Sequence, residues 1–173
     1  MKKILIPAVV ACLILVAGCT TVAPAGTNSQ STGLTMNEPA VLASDKYSFN
    51  ASVSEISVSE AKSGGRMVDI YINVKNTGTT PVRLNWFSTI TDTAGISHGG
   101  VNVSHGGSGA HSTLLLPGRS EVSRDYVIVV SDKHYAALSR GATLDVAFTA
   151  QNETGETSVP FHATWTLDPK YFR

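Results

Sequence analysis

The chain has 173 residues, with 13 basic and 13 acidic side chains and 42% hydrophobic residues. This balance offers no basic patch for nucleic acid and nothing that would draw a domain onto anionic lipid. Both cysteines, Cys12 and Cys19, lie near the N-terminus, so the rest of the chain has no thiol for a disulfide, a nucleophile or a metal. We therefore expect a domain held together by its apolar core.

The first predicted element is an export signal over residues 1–18. Lys2 and Lys3 precede an apolar run that is shorter than the roughly 20 residues of a transmembrane helix, a pattern typical of a secretory signal. Val16-Ala17-Gly18-Cys19 resembles the lipobox of prokaryotic lipoproteins, which implies lipidation of Cys19 and removal of the residues before it. An uncleaved anchor is the alternative. Both interpretations put the following chain outside the cytoplasm, because the lysines stay inside.

A flexible linker is predicted for residues 19–45. Thr20 to Thr32 is rich in Thr, Ala, Gly, Ser, Asn and Pro and has no apolar period, so it cannot bury enough surface to order itself. A short apolar patch at Ala40 to Ala43 lies close to the predicted start of the folded part. We expect one domain over residues 46–173, which is an ordinary domain size.

The predicted domain is dominated by apolar residues at every second position, the pattern of strands with one buried face. The first strand, Tyr47 to Val58, changes phase, which predicts a bulge or a crossing between sheets. A short helix is predicted after Ser131, with Gly141 as its end. Alternation runs through Arg66 to Lys75, Val82 to Ile90, Tyr126 to Val130, Leu144 to Thr149 and Val159 to Leu167. We therefore expect an all-β fold, a β-sandwich of about seven strands with one short helix.

A central strand–turn–strand segment resembles a known family. Val68 to Gly78 followed by Pro81-Val82, with Asp92 to Gly95 and Leu116-Pro117-Gly118 further on, is similar to secreted immunoglobulin-like domains of prokaryotes. The match in particular is to a domain of unknown function related to immunoprotective extracellular proteins. The resemblance implies an immunoglobulin-like β-sandwich carried by a lipoprotein, without the Cys pair of antibody domains. It implies no catalytic residues, because the family has no established chemistry.

Residues 95–112 are rich in glycine and hold three of the five histidines. Neutral imidazoles bind zinc, copper or nickel, so His98, His105 and His111 are candidate metal ligands, for Zn or Cu. The candidate fourth ligand is His134 or His162. Their spacing matches no rigid ligand pattern, and ordering the loop would cost entropy. A long solvated connection with two short strand pieces is the alternative interpretation.

Two further motifs are weak. Ser108 lies in a glycine-rich run close to a nucleophile elbow, but an elbow needs a strand and a helix in an α/β sheet, which this pattern does not predict. Asn50, Asn102 and Asn152 open sequons that would accept N-glycans in an organism that makes them.

The aromatic pair near the C-terminus either packs on the sandwich or is loose. We therefore expect no enzyme activity and no required cofactor.

Together these features favour an envelope lipoprotein, tethered to membrane through the lipid on Cys19. The tether would lie on the outer side of the cytoplasmic membrane or in an outer membrane. We expect a non-catalytic binding or structural module whose partner is an envelope or surface protein, or a surface polymer. Loops at one end, chiefly 95–112, are the expected contact region. The alternative is a histidine-based metal-binding protein of the cell surface.

Overall fold

The computed structural model describes residues 30–60, 65–101, 111–129 and 131–172. Within these ranges the chain forms ten strands, one α-helix and one 3₁₀ helix. The predicted signal and Cys19 lie outside the described ranges. The elements are β1 (Gln30–Thr35), β2 (Ala40–Ala43), β3 (Ser48–Glu60), β4 (Arg66–Asn76), β5 (Val82–Asp92), β6 (Ser97–Val101), β7 (His111–Leu115), β8 (Ser120–Val129), α1 (Asp132–Leu138), β9 (Ala142–Gln151), β10 (Ser158–Leu167) and the 3₁₀ helix (Pro169–Phe172).

The strands form two sheets that pack face to face. Sheet A contains β1, β10, β9, β5 and β7, in which β1 is parallel to β10 and the other pairings are antiparallel. Sheet B contains β2, β3, β4 and β8, all antiparallel. Strand β6 joins the sheets, because its first residues pair with β5 and its last two with β8. The predicted all-β sandwich with one short helix is confirmed.

The core lies between the sheets and is built from the inward-facing residues of the alternating strands. Trp86 and Trp165 are buried there, as their positions in the alternation predict. The ring of Phe49 contacts those of Phe148 and Phe161 edge to face, with centroids 5.5 and 5.1 Å apart. Such aromatic pairs add about 0.5–1.5 kcal/mol to the effect of burial alone. The described residues include no cysteine, so their strands are held together by this apolar core.

Two local predictions are also confirmed. The register of β3 against β4 shifts between Val53 and Glu55, so the change of phase is a bulge. The side chain of Ser131 caps α1 by accepting a hydrogen bond from the N–H of His134. Gly141, with a φ of 122°, ends the helical region and donates its N–H to the carbonyl of Leu138. These caps set where the helix begins and where β9 starts.

The linker prediction is wrong for residues 30–45, which contain two strands. Strand β1 adds to the edge of sheet A beside β10, and β2 adds to sheet B beside β3. Most of β1 is exposed, so it has no apolar period and is held by backbone hydrogen bonds to an existing edge. Ala40 and Leu42 are fully buried in the core. The folded part therefore begins before Lys46, and the described strands number ten instead of about seven.

The C-terminal residues pack against the sandwich. Phe172 is buried, and its carbonyl accepts a hydrogen bond from the Tyr135 hydroxyl at 2.7 Å. The two short helices are thereby joined at one end of the molecule. Among the residues that the structure describes, no helix has the length and apolar character needed to cross a bilayer.

Candidate functional site

A groove of about 620 Å³ lies at one end of the sandwich, where β5 and β10 end and β9 begins. We call it the end groove. Its walls come from four parts of the chain: the end of β1, the turn after β5, the segment between α1 and β9, and the 3₁₀ helix. Its volume is within the range of pockets that hold small molecules, about 300–1,000 Å³.

The floor of the end groove is a row of four threonines on four adjacent strands of sheet A. Thr91 pairs with Thr143, Thr143 with Thr166, and Thr166 with Thr35. All four lie on the outer face of the sheet, since their neighbours along each strand point toward the core. Adjacent strands are about 4.8 Å apart, so this threonine row extends over roughly 14 Å.

Only some of these hydroxyls are used within the fold. Thr35 donates to a carboxylate oxygen of Glu38, and the hydroxyls of Thr91 and Ser97 share a hydrogen bond of 2.9 Å. The hydroxyls of Thr143 and Thr166 form hydrogen bonds with none of the described residues. Each can therefore offer one donor and two acceptor positions to a ligand.

The charged wall of the groove contains Arg140, Asp168 and Lys170. Asp168 accepts a hydrogen bond from the backbone N–H of Lys170 at 2.8 Å, and its other oxygen lies 3.3 Å from the Lys170 ammonium. The hydrogen bond and charge of Asp168 raise the pKa of Lys170. The Lys170 ammonium also lies 4.9 Å from the ring centroid of Tyr171. Arg140 is exposed, and its guanidinium makes no ion pair with any residue in the described ranges.

A buried carboxylate holds the turn beside the groove. Asp92 Oδ1 accepts hydrogen bonds from the backbone N–H groups of Ala94 and Ile96, at 2.8 and 3.1 Å. Its Oδ2 lies 3.3 Å from His98 Nε2. Gly95 completes the turn with a φ of 79°, a left-handed conformation that glycine adopts without strain.

These contacts determine the charge state of Asp92. Burial raises its pKa, but the hydrogen bonds from Ile96, His98 and Ala94 together outweigh burial, so the pKa of Asp92 is lowered. The same turn is tied to α1, because Thr93 donates its hydroxyl to the carbonyl of Ala137. Asp92 thus positions the turn and, through α1, the segment that carries Arg140.

The predicted histidine ligands lie in different surroundings. His98 is buried against Asp92, with its ring centroid 5.4 Å from that of His134. His162 lies elsewhere, on the outer face of sheet A, with Nε2 2.8 Å from both carboxylate oxygens of Asp145. His105 and the side chain of His111 fall outside what the structure describes, although the backbone of His111 opens β7. Within the described ranges no three potential ligands come together, and the metal site stays a prediction.

The sequon asparagines are equally scattered. Asn50 lies on β3, and Asn152 begins the β9–β10 turn, where its side-chain oxygen accepts from the N–H of Thr157 at 3.3 Å. Asn102 and Ser108 lie outside the described residues. Their glycosylation and chemistry stay predictions.

The residues of the end groove were not among the sequence-predicted site residues. Thr91, Thr143 and Thr166 each occupy an outward position near a strand end, which is a weak signal in the sequence. Their alignment into one row depends on the register of strands more than 20 residues apart. Asp92 did have a readable signal, because Asp followed by Gly three residues later is a turn pattern.

Comparisons with known proteins give similarity in structure only. No family model matches the chain, and no curated protein matches its sequence. A protein described as ApaA from Bordetella pertussis is 18% identical, with 70% of this chain and 94% of that one covered and a TM-score of 0.46. A protein described as the lipoprotein ycdA from Bacillus subtilis is 13% identical, over 70% of this chain and 37% of that one, with a TM-score of 0.43.

A protein from Archaeoglobus fulgidus is 11% identical, over 68% of this chain and 97% of that one, with a TM-score of 0.40. None of these similarities assigns a function to the chain.

Proposed function

We propose that the protein is an exported, lipid-anchored β-sandwich that acts as a non-catalytic binding module of the cell envelope, with the end groove as its binding site. The groove carries this proposal, because four separate parts of the chain form one concave surface on which two hydroxyls and the Arg140 guanidinium have no partner among the described residues. Its partner would be a protein or polymer of the envelope.

Support for export and anchoring comes from the N-terminal residues. The basic pair at Lys2 and Lys3, the short apolar run and the small residues before Cys19 are the parts of a lipoprotein signal. A lipid on Cys19 would hold the domain at the outer side of a membrane through its acyl chains, each buried CH₂ adding about 0.8 kcal/mol.

Strand order supports an immunoglobulin-like topology for the sandwich. Neighbours β3, β4, β8 and the end of β6 follow the order of strands A, B, E and D of immunoglobulin domains. Strands β10, β9 and β5 follow the order G, F and C of the opposite sheet. Trp86 is buried on β5, the strand that carries the core tryptophan in those domains.

We favour ligand binding in the end groove over metal binding at the histidines as the function of this protein. The Nε2 atom of His98 already lies against Asp92 in the interior. His162 is hydrogen-bonded to Asp145 on the outer face of sheet A. The groove, by contrast, presents polar groups that are not used by the fold. The groove lies beside the β5–β6 turn, but the residues that line it lie outside 95–112, and the contact region expected there stays a prediction.

A capture experiment tests the binding function. The full chain is immobilised and exposed to detergent-solubilised envelope of its own organism, in parallel with Arg140→Ala and with Arg119→Ala as the matched control. Arg119 is also exposed but lies in the β7–β8 turn at the opposite end. We expect a component that is retained by the wild type and Arg119→Ala and lost with Arg140→Ala. Equal retention by all three forms would contradict the groove as the binding site.

Mass spectrometry of the mature protein tests the anchor. We expect an N-terminus at Cys19 with an added acyl mass, and a Cys19→Ser variant that is released from the membrane fraction. A free Met1 in the native protein would contradict the anchoring proposal.

A further inference from the structure

We propose that the ligand of the end groove is a saccharide that carries a carboxylate, bound with its hydroxyls on the threonine row and its carboxylate on Arg140. The inference rests on the proposed function, because it names the ligand class of the same groove. It depends on three independent features: the chemistry of the floor, a guanidinium with no ion-pair partner in the described ranges, and the rigidity of the walls.

The floor matches the chemistry of a sugar. Each threonine presents a hydroxyl beside a methyl group, so the row offers donors, acceptors and small apolar patches in alternation. Thr143 and Thr166 lie at the centre of the row, and their hydroxyls bond to none of the residues that the structure describes. Sugar hydroxyls are donors and acceptors at once, and their ring C–H groups are apolar. A peptide added to the sheet as an extra strand would pair with the outer edge of β1, away from Thr143 and Thr166, whose strands are paired on both sides.

Arg140 selects for an acidic group. A guanidinium has a fixed planar fork of donors that matches a carboxylate with two parallel hydrogen bonds. The other charged side chains of the groove have partners within the protein. Asp168 lies 3.3 Å from the Lys170 ammonium, and Asp92 is buried and accepts hydrogen bonds from the β5–β6 turn. Among the described residues, Arg140 is therefore the charged group of the groove that has no ion-pair partner.

The groove is formed before a ligand arrives. Its floor consists of paired strands, and the turn at Thr93 is bonded to α1. The Asp168–Lys170 wall is fixed by a backbone hydrogen bond, and Tyr135 joins α1 to the 3₁₀ helix. A preformed site binds with a smaller loss of conformational entropy than a flexible loop would.

The test measures binding of digalacturonate and of its neutral counterpart galactobiose to the full chain in detergent. Saturation-transfer NMR detects weak binding, and titration gives the dissociation constants. We expect digalacturonate to bind about three- to fivefold more tightly than galactobiose, because Arg140 is exposed and solvent screens its pairing with the carboxylate. Arg140→Ala should remove this preference while binding of galactobiose is retained. Arg119→Ala should leave both unchanged.

A second variant tests the floor without a change of shape. Thr143→Val with Thr166→Val removes two hydroxyls and keeps the side-chain volume, and we expect both sugars to bind several-fold more weakly. Thermal unfolding of each variant checks that the fold is retained. Equal binding of the two sugars by the wild type would overturn the carboxylate preference. No binding of either sugar would overturn the inference, while envelope capture that still depends on Arg140 would leave the proposed function standing.

Discussion

Two histidine–aspartate pairs lie in opposite surroundings in this molecule. In the Asp92–His98 pair, the aspartate side chain is fully buried and the histidine side chain is 7% exposed. In the Asp145–His162 pair, the two side chains are 41% and 35% exposed. The outer pair has the shorter distance, 2.8 Å against 3.3 Å, yet its partners lie on the solvated face of sheet A.

The difference teaches that burial and additional donors, more than the distance between the two side chains, decide how much a pair contributes to stability. Asp92 also receives two backbone N–H groups and so shapes a turn, whereas solvent competes for Asp145. We therefore expect the inner pair to contribute to stability and to the form of the end groove, and the outer pair to contribute little.

The largest effect is expected for Asp92→Ala. This change leaves the N–H groups of Ala94 and Ile96 without their acceptor and His98 without its partner. The free energy of unfolding should fall by about 2–3 kcal/mol, because the buried His98 ring keeps its desolvation cost without its partner and the turn loses two hydrogen bonds. Urea unfolding followed by tryptophan fluorescence measures it. Asp145→Ala is the matched control, and an equal loss in both variants would remove the distinction between the pairs.

His98→Ala should destabilise by about 1–2 kcal/mol, through loss of a buried ring and of one donor to Asp92. The same change at His162 should stay within about 0.5 kcal/mol, because that ring is partly solvated. Thermal unfolding of the two variants under one buffer gives the comparison. A larger effect at His162 would show that the outer pair is the structural one.

Asp92→Asn tests the charge by itself, because the amide oxygen can still accept from the turn. The pKa of Asp92 is lowered in the folded protein, so its contribution is complete above the ordinary value near 3.9 and is lost as the pH falls through the lowered value. Near neutral pH the variant should be about 1 kcal/mol less stable than the wild type. This difference should shrink below about pH 4. A difference that is constant with pH would contradict the assigned charge.

The smallest effect is expected for Asp145→Asn, at less than about 0.5 kcal/mol. Added salt should reduce it further, since exposed charges are screened over about 10 Å at 0.1 M. Unfolding at low and high ionic strength measures the dependence. An effect insensitive to salt would indicate that solvent does not reach this pair.

Sequence pattern alone predicts the central strands closely. The strand expected over Arg66 to Lys75 extends over Arg66–Asn76, and the Ser131 cap and Val53–Glu55 bulge occur where expected. These features depend on neighbours within one strand or one turn, so local chemistry is sufficient to predict them.

The first half of β8 shows why the inward-facing residues of some strands cannot be predicted from local sequence. Ser123 and Asp125 point inward and are buried, while Val122 is 58% exposed, which reverses the usual alternation. Asp125 is accommodated because Ser88 of β5 donates to it at 2.5 Å. That partner lies 37 residues away, so no local window contains the reason. Strand β1 and the threonine row depend on contacts of the same long range.

The parallel pairing of β1 with β10 has a mechanical consequence. The chain enters the sheet at Gln30, opposite His162, and runs toward Thr35 at the groove. If the chain before Gln30 were pulled while a ligand held in the end groove resisted the pull, the force would act along the axis of β1. The hydrogen bonds between β1 and β10 would then share the load and be sheared together. They would not break one at a time from one end of the strand.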